Sequence, residues 1–376
     1  MKVIYLTKYS INGASSRLRS FQYFPLLEKE DIEITVRPFF DEAYLVNLYA
    51  GKKTSLLQLM RFYCSRFLTL FTLFKYDKVV IEKELFPYFF SWFEKILAVL
   101  NVKYIVDYDD AIFHNYDLNP NKLIAFFLKN KIYNVMKYSH CVVAGNDYLA
   151  QKAKESGAKK IVLLPTAIDI NKYKVKEESN NDTVVIGWIG TPSTFKYIKK
   201  FEPVFLKLKK MYDVELHIVG VKDDSQCCKE IKFFDWSEES EVDLISKFDI
   251  GVMPLENTPW ELGKCSYKLI QYMGCGIPVV ASSIGMNKVV VQDERNGFLV
   301  NDDDQWIQKL CELIINKELR LVQGNIGRSI VTEKFSLQNN MSVLISLLKG
   351  VKDVSKESFK TINTSMIVEE LNMANE

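Results

Sequence analysis

Residues 248–282 read FDIGVMPLENTPWELGKCSYKLIQYMGCGIPVVAS, and this stretch decides the fold. The apolar run Ile250 to Leu255 predicts a strand, followed by a polar loop. A helix is expected to open at Gly263-Lys264, and a second apolar strand starts at Pro278. Lys264 and Lys268 are four residues apart, which on a helix puts both ammonium groups on one face of its first turns. Free backbone N–H donors and the positive end of the helix dipole gather at the same end, so a phosphate or diphosphate suits the place. Two lysines at this spacing also describe a solvated helix face. Gly274, Gly276 and Pro278 turn the chain back into the sheet.

Outward from this stretch, the chain alternates short apolar strands with helices. In the first half the strands are Lys2 to Thr7, Ile32 to Pro38, Lys78 to Ile81, Lys103 to Asp107 and Cys141 to Ala144. In the second they are Thr183 to Ile189, Val214 to Val219, Ile231 to Phe234, Ile250 to Leu255 and Val279 to Ala281. That pattern predicts an α/β chain of two doubly wound, Rossmann-like domains with parallel sheets covered on both faces. Ligands of such sheets bind beyond the carboxyl ends of the strands, here in the cleft between the domains. The polar, aperiodic Asn171 to Asp182 is the expected linker, with domains over 1–172 and 183–335. Residues 336–376 form a helix around Ser336 to Leu348 and a polar tail, read as disordered from about Val351.

Composition removes several classes of function. A net charge of +2 argues against nucleic acid as a partner. Seven cysteines without a Cys-x-x-Cys pair, beside three histidines, argue against a zinc site and fit a reducing cytoplasm. The start, MKVIYLTKYS, reads as a strand rather than a signal peptide. The longest apolar run, Phe67 to Phe74, is bracketed by Arg66 and Lys75 and is too short to span a bilayer. The expected location is cytoplasmic, soluble or at the inner face of the cell membrane.

Four further segments carry chemistry. After the first strand, Asn12-Gly13-Ala14-Ser15-Ser16-Arg17-Leu18-Arg19 combines small residues with two guanidinium groups, a loop fit for an anion or an acceptor. An ordinary strand-to-helix turn has the same look. Asp107-Tyr108-Asp109-Asp110 ends a strand with three carboxylates that would repel one another as mere decoration. One of them, Asp110, reads as a helix cap; the others suit sugar hydroxyls or orientation of an acceptor. Gly190-Thr191-Pro192-Ser193-Thr194 offers close approach, hydroxyls and a helix start with Lys196 just beyond, or a plain cap. Lys83-Glu84-Leu85-Phe86-Pro87 ends another strand on the acceptor side. Finally, Lys52 to Lys75 packs Leu, Met and Phe among Arg61, Arg66 and lysines, which fits both a membrane-interface helix and a core helix.

The run Gln271-Tyr272-Met273-Gly274-Cys275-Gly276-Ile277-Pro278-Val279-Val280-Ala281-Ser282 resembles the donor-binding signature of retaining GT-B glycosyltransferases of family four, where a helix ends in Glu-Ala-Met-Ala-x-Gly-x-Pro-Val-Val-Ala-Ser. The resemblance implies a GT-B fold and a donor site of Gly190, Thr191, Ser193, Thr194, Lys196, Lys264, Lys268 and Gln271. It implies a first-domain loop of Gly13, Ser15, Ser16, Arg17 and Arg19 against the donor phosphates and acceptor. Catalytic duties would fall to Asp107, Asp109 and Asp110. The family's two glutamates fall on Gly263 and Gln271, so Glu256 or Glu261 is expected to serve the sugar. His114 stands where a histidine of a histidine-aspartate pair would be sought. A C-terminal helix bracing the first domain is also implied.

The function so implied is transfer of a sugar, with retention, from a nucleotide-diphosphate sugar to a glycan or lipid-linked glycan in surface polysaccharide assembly. No cofactor or metal is obligatory, although Asp107-Tyr108-Asp109 formally has metal-motif spacing. A sugar-nucleotide epimerase and a catalytically silent nucleotide-sugar-binding partner share the expected features.

Overall fold

A computed structural model describes residues 1–176, 183–222 and 229–350. Residues 177–182 of the expected linker and the tail from Val351 lie outside the described residues. Within them the chain forms two six-stranded sheets, parallel throughout. The first comprises β1 (Lys2–Leu6), β2 (Glu33–Val36), β3 (Lys78–Glu82), β4 (Tyr104–Tyr108), β5 (Cys141–Ala144) and β6 (Ile161–Leu163), in the order β2-β1-β3-β4-β5-β6. The second comprises β7 (Val184–Ile189), β8 (Val214–Val219), β9 (Ile231–Phe234), β10 (Ile250–Met253), β11 (Val279–Ser282) and β12 (Gly297–Val300), in the order β12-β11-β10-β7-β8-β9. The expected two-domain α/β fold is present.

The differences from the sequence reading have local causes. β10 stops at Met253 rather than Leu255 because Pro254 has no N–H to pair. β6 and β12 were not expected. Both are edge strands of three or four residues. The helix expected at Gly263-Lys264 opens instead at Tyr267, behind Ser266 in the left-handed region at φ 51°. The Ser266 hydroxyl donates to Asn287 Oδ1 at 2.7 Å, which holds that conformation. A separate turn, Pro259–Leu262, precedes it, so Lys264 sits on a connecting segment and not on the helix that carries Lys268.

The helix Leu337–Lys349 lies on the first domain, where Leu344, Leu347 and Leu348 join Val3, Tyr5, Tyr23 and Phe24 in one apolar cluster. Each such leucine contributes about 1.5–3 kcal/mol relative to exposure. Asn340 Nδ2 fixes the register by donating to Tyr23 Oη at 3.0 Å and to the Pro165 carbonyl at 2.6 Å.

The two domains also touch at the carboxyl ends of their sheets. Asn146, just after β5, donates to the carbonyls of Leu262 and Lys264 at 3.3 and 3.0 Å. Cys265 Sγ approaches the Asp109 carbonyl at 3.1 Å. A Cβ on Gly145 would stand 2.4 Å from Cys265 Sγ, so the absence of a side chain there permits the approach.

Candidate functional site

Three groups of side chains face one another where the sheets end. The first stands on the first domain. β3 closes on Lys83, a non-glycine residue at φ 68° and almost fully buried. That conformation is disfavoured for an L-residue and is kept where the surroundings demand it. It directs Lys83 Nζ to 2.9 Å from Asp109 Oδ1, while the Ser15 hydroxyl donates to Asp109 Oδ2. Burial alone would raise the Asp109 carboxyl, but Lys83 and the Ser15 hydrogen bond outweigh it and hold the group down at about 2. Asp109 is thus a fixed anion. Lys8 lies beside this group, its ammonium pushed below the usual range by burial and then by the Lys83 charge.

The second group comes from the second domain. Lys264 Nζ lies 3.6 Å from Asp110 Oδ1 across the domain junction and 5.9 Å from the Trp260 ring centre. Lys268, from the next helix, has its Nζ 5.1 Å from the Trp188 ring centre. Burial, and after it the neighbouring Lys264 charge, lowers the Lys268 ammonium to about 7. Two cations that share one carboxylate, Asp110, form an incomplete charge set that a further anion would complete.

The third group joins the domains by way of Arg17. Its guanidinium lies 4.6 Å from the Trp236 ring centre and 3.7 Å from Glu241 Oε2. Trp236 Nε1 donates to the same Oε2 at 2.7 Å, and Tyr173 Oη donates to Glu241 Oε1 at 2.9 Å. Gln271 ends this chain by donating from Nε2 to Tyr173 Oη at 3.0 Å. A polar path therefore runs from Arg17 to Gln271 through buried groups.

The remaining predicted residues are placed as follows. Arg19 and Asp107 pair with each other, Nε to Oδ2 at 2.9 Å and Nη2 to Oδ1 at 2.6 Å, below the cleft surface. Ser16 donates to the buried Glu82 at 2.6 Å. Gly13 gives room to Tyr9, whose Cβ would lie 2.3 Å from an added Cβ. Gly190 likewise makes room for the Trp188 ring. Thr191, Ser193 and Thr194 bond among themselves around a short turn, Thr191 N to Thr194 Oγ1 at 3.1 Å and Thr191 Oγ1 to Ser193 Oγ at 2.9 Å. Lys196 is exposed, 4.8 Å from the Tyr197 ring centre. Glu261 is buried and accepts from Tyr197 and Thr258, and Glu256 pairs with Lys200. His114 is occupied on both nitrogens, by Asp117 at 2.8 Å and Tyr148 Oη at 2.9 Å. Asp107 and Asp109 bind different cations, and among the described residues no group of three or more His, Cys, Asp or Glu is arranged to hold a metal.

This cleft lies at the ends of two parallel sheets and is lined by cations and carboxylates from both domains. Residues 183–316 match the family described as glycosyl transferases group 1. No curated protein matches the chain. Solved structures do. HepE of Anabaena in complex with UDP-glucose superposes with a TM-score of 0.70 at 15% identity, over 93% of this chain and 100% of that one. Sucrose-phosphate synthase from Thermosynechococcus elongatus gives 0.69 at 13% identity, over 93% and 98%. WaaG, a glycosyltransferase involved in lipopolysaccharide biosynthesis, gives 0.65 at 11% identity, over 93% and 100%. At these identities the likeness is one of fold, that of two-domain GT-B proteins. The group 1 match covers the second domain, including the segment that carries Lys264 and Lys268.

Sequence reasoning missed three aromatic residues of the site. Trp188 and Trp260 flank the lysines, and Trp236 receives Arg17. Nothing in a single sequence separates these tryptophans from core residues. Lys83 belongs to the segment expected on the acceptor side, and the structure adds its pairing with Asp109.

Proposed function

We propose that this chain is a retaining glycosyltransferase that takes a sugar from a nucleoside-diphosphate donor and passes it to a glycan or lipid-linked glycan, in surface polysaccharide assembly at the inner face of the cell membrane. The observation that carries the reading is the pair Lys264 and Lys268, two cations that share the single carboxylate of Asp110 while Asp109 is taken by Lys83, at the ends of two facing sheets. A diphosphate would supply the missing negative charge. The group 1 match over 183–316 supports a glycosyl donor, and the UDP-glucose complex of HepE makes uridine the first base to test.

In the proposed reaction the C1–O bond of the donor sugar breaks with its electron pair going to the diphosphate, whose growing charge Lys264 and Lys268 stabilise. The acceptor oxygen forms the new bond to C1 from the same face, and its proton passes to the departing phosphate oxygen. Asp109, held ionised by Lys83 and Ser15, orients the acceptor hydroxyl by accepting its hydrogen bond or that of a neighbouring hydroxyl. Arg19 and Asp107 act as positioning residues, since their mutual pair fixes the helix that carries Ser15. The Arg17 to Gln271 path holds the domains in mutual register around the donor.

The test is a melting-point screen of UDP, GDP, ADP and CMP with their sugar conjugates, run with Lys264→Ala and Lys268→Ala alongside. A nucleotide that raises the melting point of the wild type and not of the variants identifies the donor base. Acceptor-dependent release of nucleoside diphosphate then separates transfer from epimerisation. Absence of any nucleotide shift in the wild type would remove the donor site.

A further inference from the structure

We infer that the outer face of the helix Leu56–Leu70, with the helix Trp92–Val99 beside it, docks on an anionic lipid bilayer. The Lys52 to Lys75 segment combines the two alternatives that its sequence leaves open. Its inner side is core: Phe62 and Arg66 are buried, and Phe62 belongs to the main apolar cluster of the first domain. Its outer side is bare. Leu57 is 79% exposed, Leu68 65% and Phe71 67%. Phe67 meets Phe93 at 5.8 Å between ring centres, which joins this surface to the second helix, where Val99 is 77% exposed. An apolar surface of this kind on a folded domain calls for a cover.

Charge identifies the cover. The chain as a whole is balanced, with 49 Lys and Arg against 47 Asp and Glu. Yet residues 51–76 contain Lys52, Lys53, Arg61, Arg66 and Lys75 and no acidic residue. Arg37, Arg61 and Lys75 line a groove of about 650 Å³ whose other walls include Leu68, Cys64 and Thr69, with no carboxylate among them. All three cations are exposed, and among the described residues none forms an ion pair. Exposed Leu and Phe bordered by unpaired Arg and Lys match the acyl boundary and the phosphate layer of an anionic leaflet. A second copy of the same face would bring these cations against one another.

The inner side of the docking helix reaches the cleft end of β1. Arg66, on the inner side of the docking helix, donates from Nη2 to the Thr7 carbonyl at 2.9 Å, and Tyr63 donates to the Pro87 carbonyl. The first of these contacts meets the carbonyl just after β1, next to Lys8. Docking there would present a membrane-borne acceptor to Asp109, a consequence that rests on the transferase reading although the surface itself does not. Among the described residues no helix is long and apolar enough to cross a membrane, so the contact is with the leaflet surface.

The experiment is flotation of the full chain with vesicles of phosphatidylcholine alone and of phosphatidylglycerol with phosphatidylcholine, at low and high salt. Variants are Arg37→Glu/Arg61→Glu/Lys75→Glu, Leu57→Ser/Leu68→Ser/Phe71→Ser, and Lys207→Glu/Lys210→Glu on the second domain as control. Binding to the anionic vesicles is expected, weakened by salt, reduced roughly tenfold or more by each of the first two variants and unchanged in the control. Melting curves identify any variant that has lost its fold, and the two triple variants change different residues, so one unfolded variant leaves the other informative. The proposal is overturned if the wild type stays with buffer, or if folded forms of both triple variants float like the wild type. It is equally overturned if light scattering shows a dimer that the serine variant converts to monomer, because the face then belongs to a second copy. Vesicle binding without any nucleotide shift would leave the docking surface standing and remove the transferase instead.

Discussion

Gly263 and Ala111 meet across the domain junction with no space for a side chain between them. A Cβ on Gly263 would lie 2.4 Å from Ala111 Cβ and 2.5 Å from its amide nitrogen. Gly263 itself has φ −77°, an ordinary helical value, so space and not backbone freedom demands the glycine. This is the position at which the resembled signature carries its first glutamate. With glutamate here the two domains could not close as they do. Gly263→Glu is therefore expected to hold the cleft apart and lower kcat/KM by roughly 10²-fold, the scale of an ångström-level misplacement of reacting groups. Small-angle scattering should show a larger radius at nearly unchanged melting point. Full activity at an unchanged radius would mean that the closed contact is not the working arrangement.

Lys268 gives the donor site a pH dependence. With its ammonium lowered to about 7 by burial and by Lys264, free protein above that pH holds a mostly neutral amine. The diphosphate of a sugar nucleotide favours the charged form, so binding takes up a proton between pH 7 and the higher value of the complex. Affinity should thus fall as pH rises, by up to about tenfold per unit within that window. Calorimetry in buffers of different ionisation enthalpy would count the proton. Lys268→Arg should flatten the profile because arginine stays charged. A flat profile in the wild type would show that Lys268 is already charged when free.

How far the sequence foretold this site depends on the range of the forces involved. The sheets were legible because alternation of apolar strand and helix is a local pattern, and the Gly-x-Gly-x-Pro turn before β11 is local too. The opening of the Tyr267 helix was not, because it depends on Ser266 reaching Asn287, twenty-one residues away. The same distinction sorts the site residues. Asp107, Asp109 and Asp110 form one cluster in sequence but turn to three partners, Arg19, Lys83 and Lys264, each contributed by another element. Gln271 occupies a position that the resemblance assigns to the donor, yet its buried amide meets Tyr173, ninety-eight residues upstream.

The Arg19–Asp107 pair makes a stability prediction. Their side chains are 1% and 11% exposed, and the bidentate geometry is complemented by Arg19 Nη1 donating to the Leu164 carbonyl at 2.7 Å. Removing one partner leaves a buried charge uncompensated, so Arg19→Ala should cost about 3–5 kcal/mol in urea unfolding. The double variant Arg19→Met/Asp107→Leu should recover most of that loss, because an apolar pair of similar size carries no desolvation penalty. Equal destabilisation by the single and double variants would show that packing, not charge, is what Arg19 provides.

Lys83 and Asp109 make the sharpest catalytic test. Asp109 has its carboxyl moved from an ordinary 3.8 down to about 2, against burial, with Lys83 the largest opposing influence. A carboxyl depressed on folding contributes stability that is fully present above about pH 4 and is lost as pH falls toward 2. In Lys83→Met the burial is no longer opposed by that charge, so the Asp109 carboxyl should rise. If ionised Asp109 orients the acceptor, the acid limb of kcat must move toward neutral pH with it, while Lys83→Arg, which keeps the charge, should leave the limb near its wild-type position. KM for the donor should change little, because the donor cations are Lys264 and Lys268 on the other domain. An acid limb that stays in place in a folded Lys83→Met protein would exclude Asp109 from the rate. The acceptor would then have to be oriented by Asp110, the remaining carboxylate of the cluster that faces the cleft.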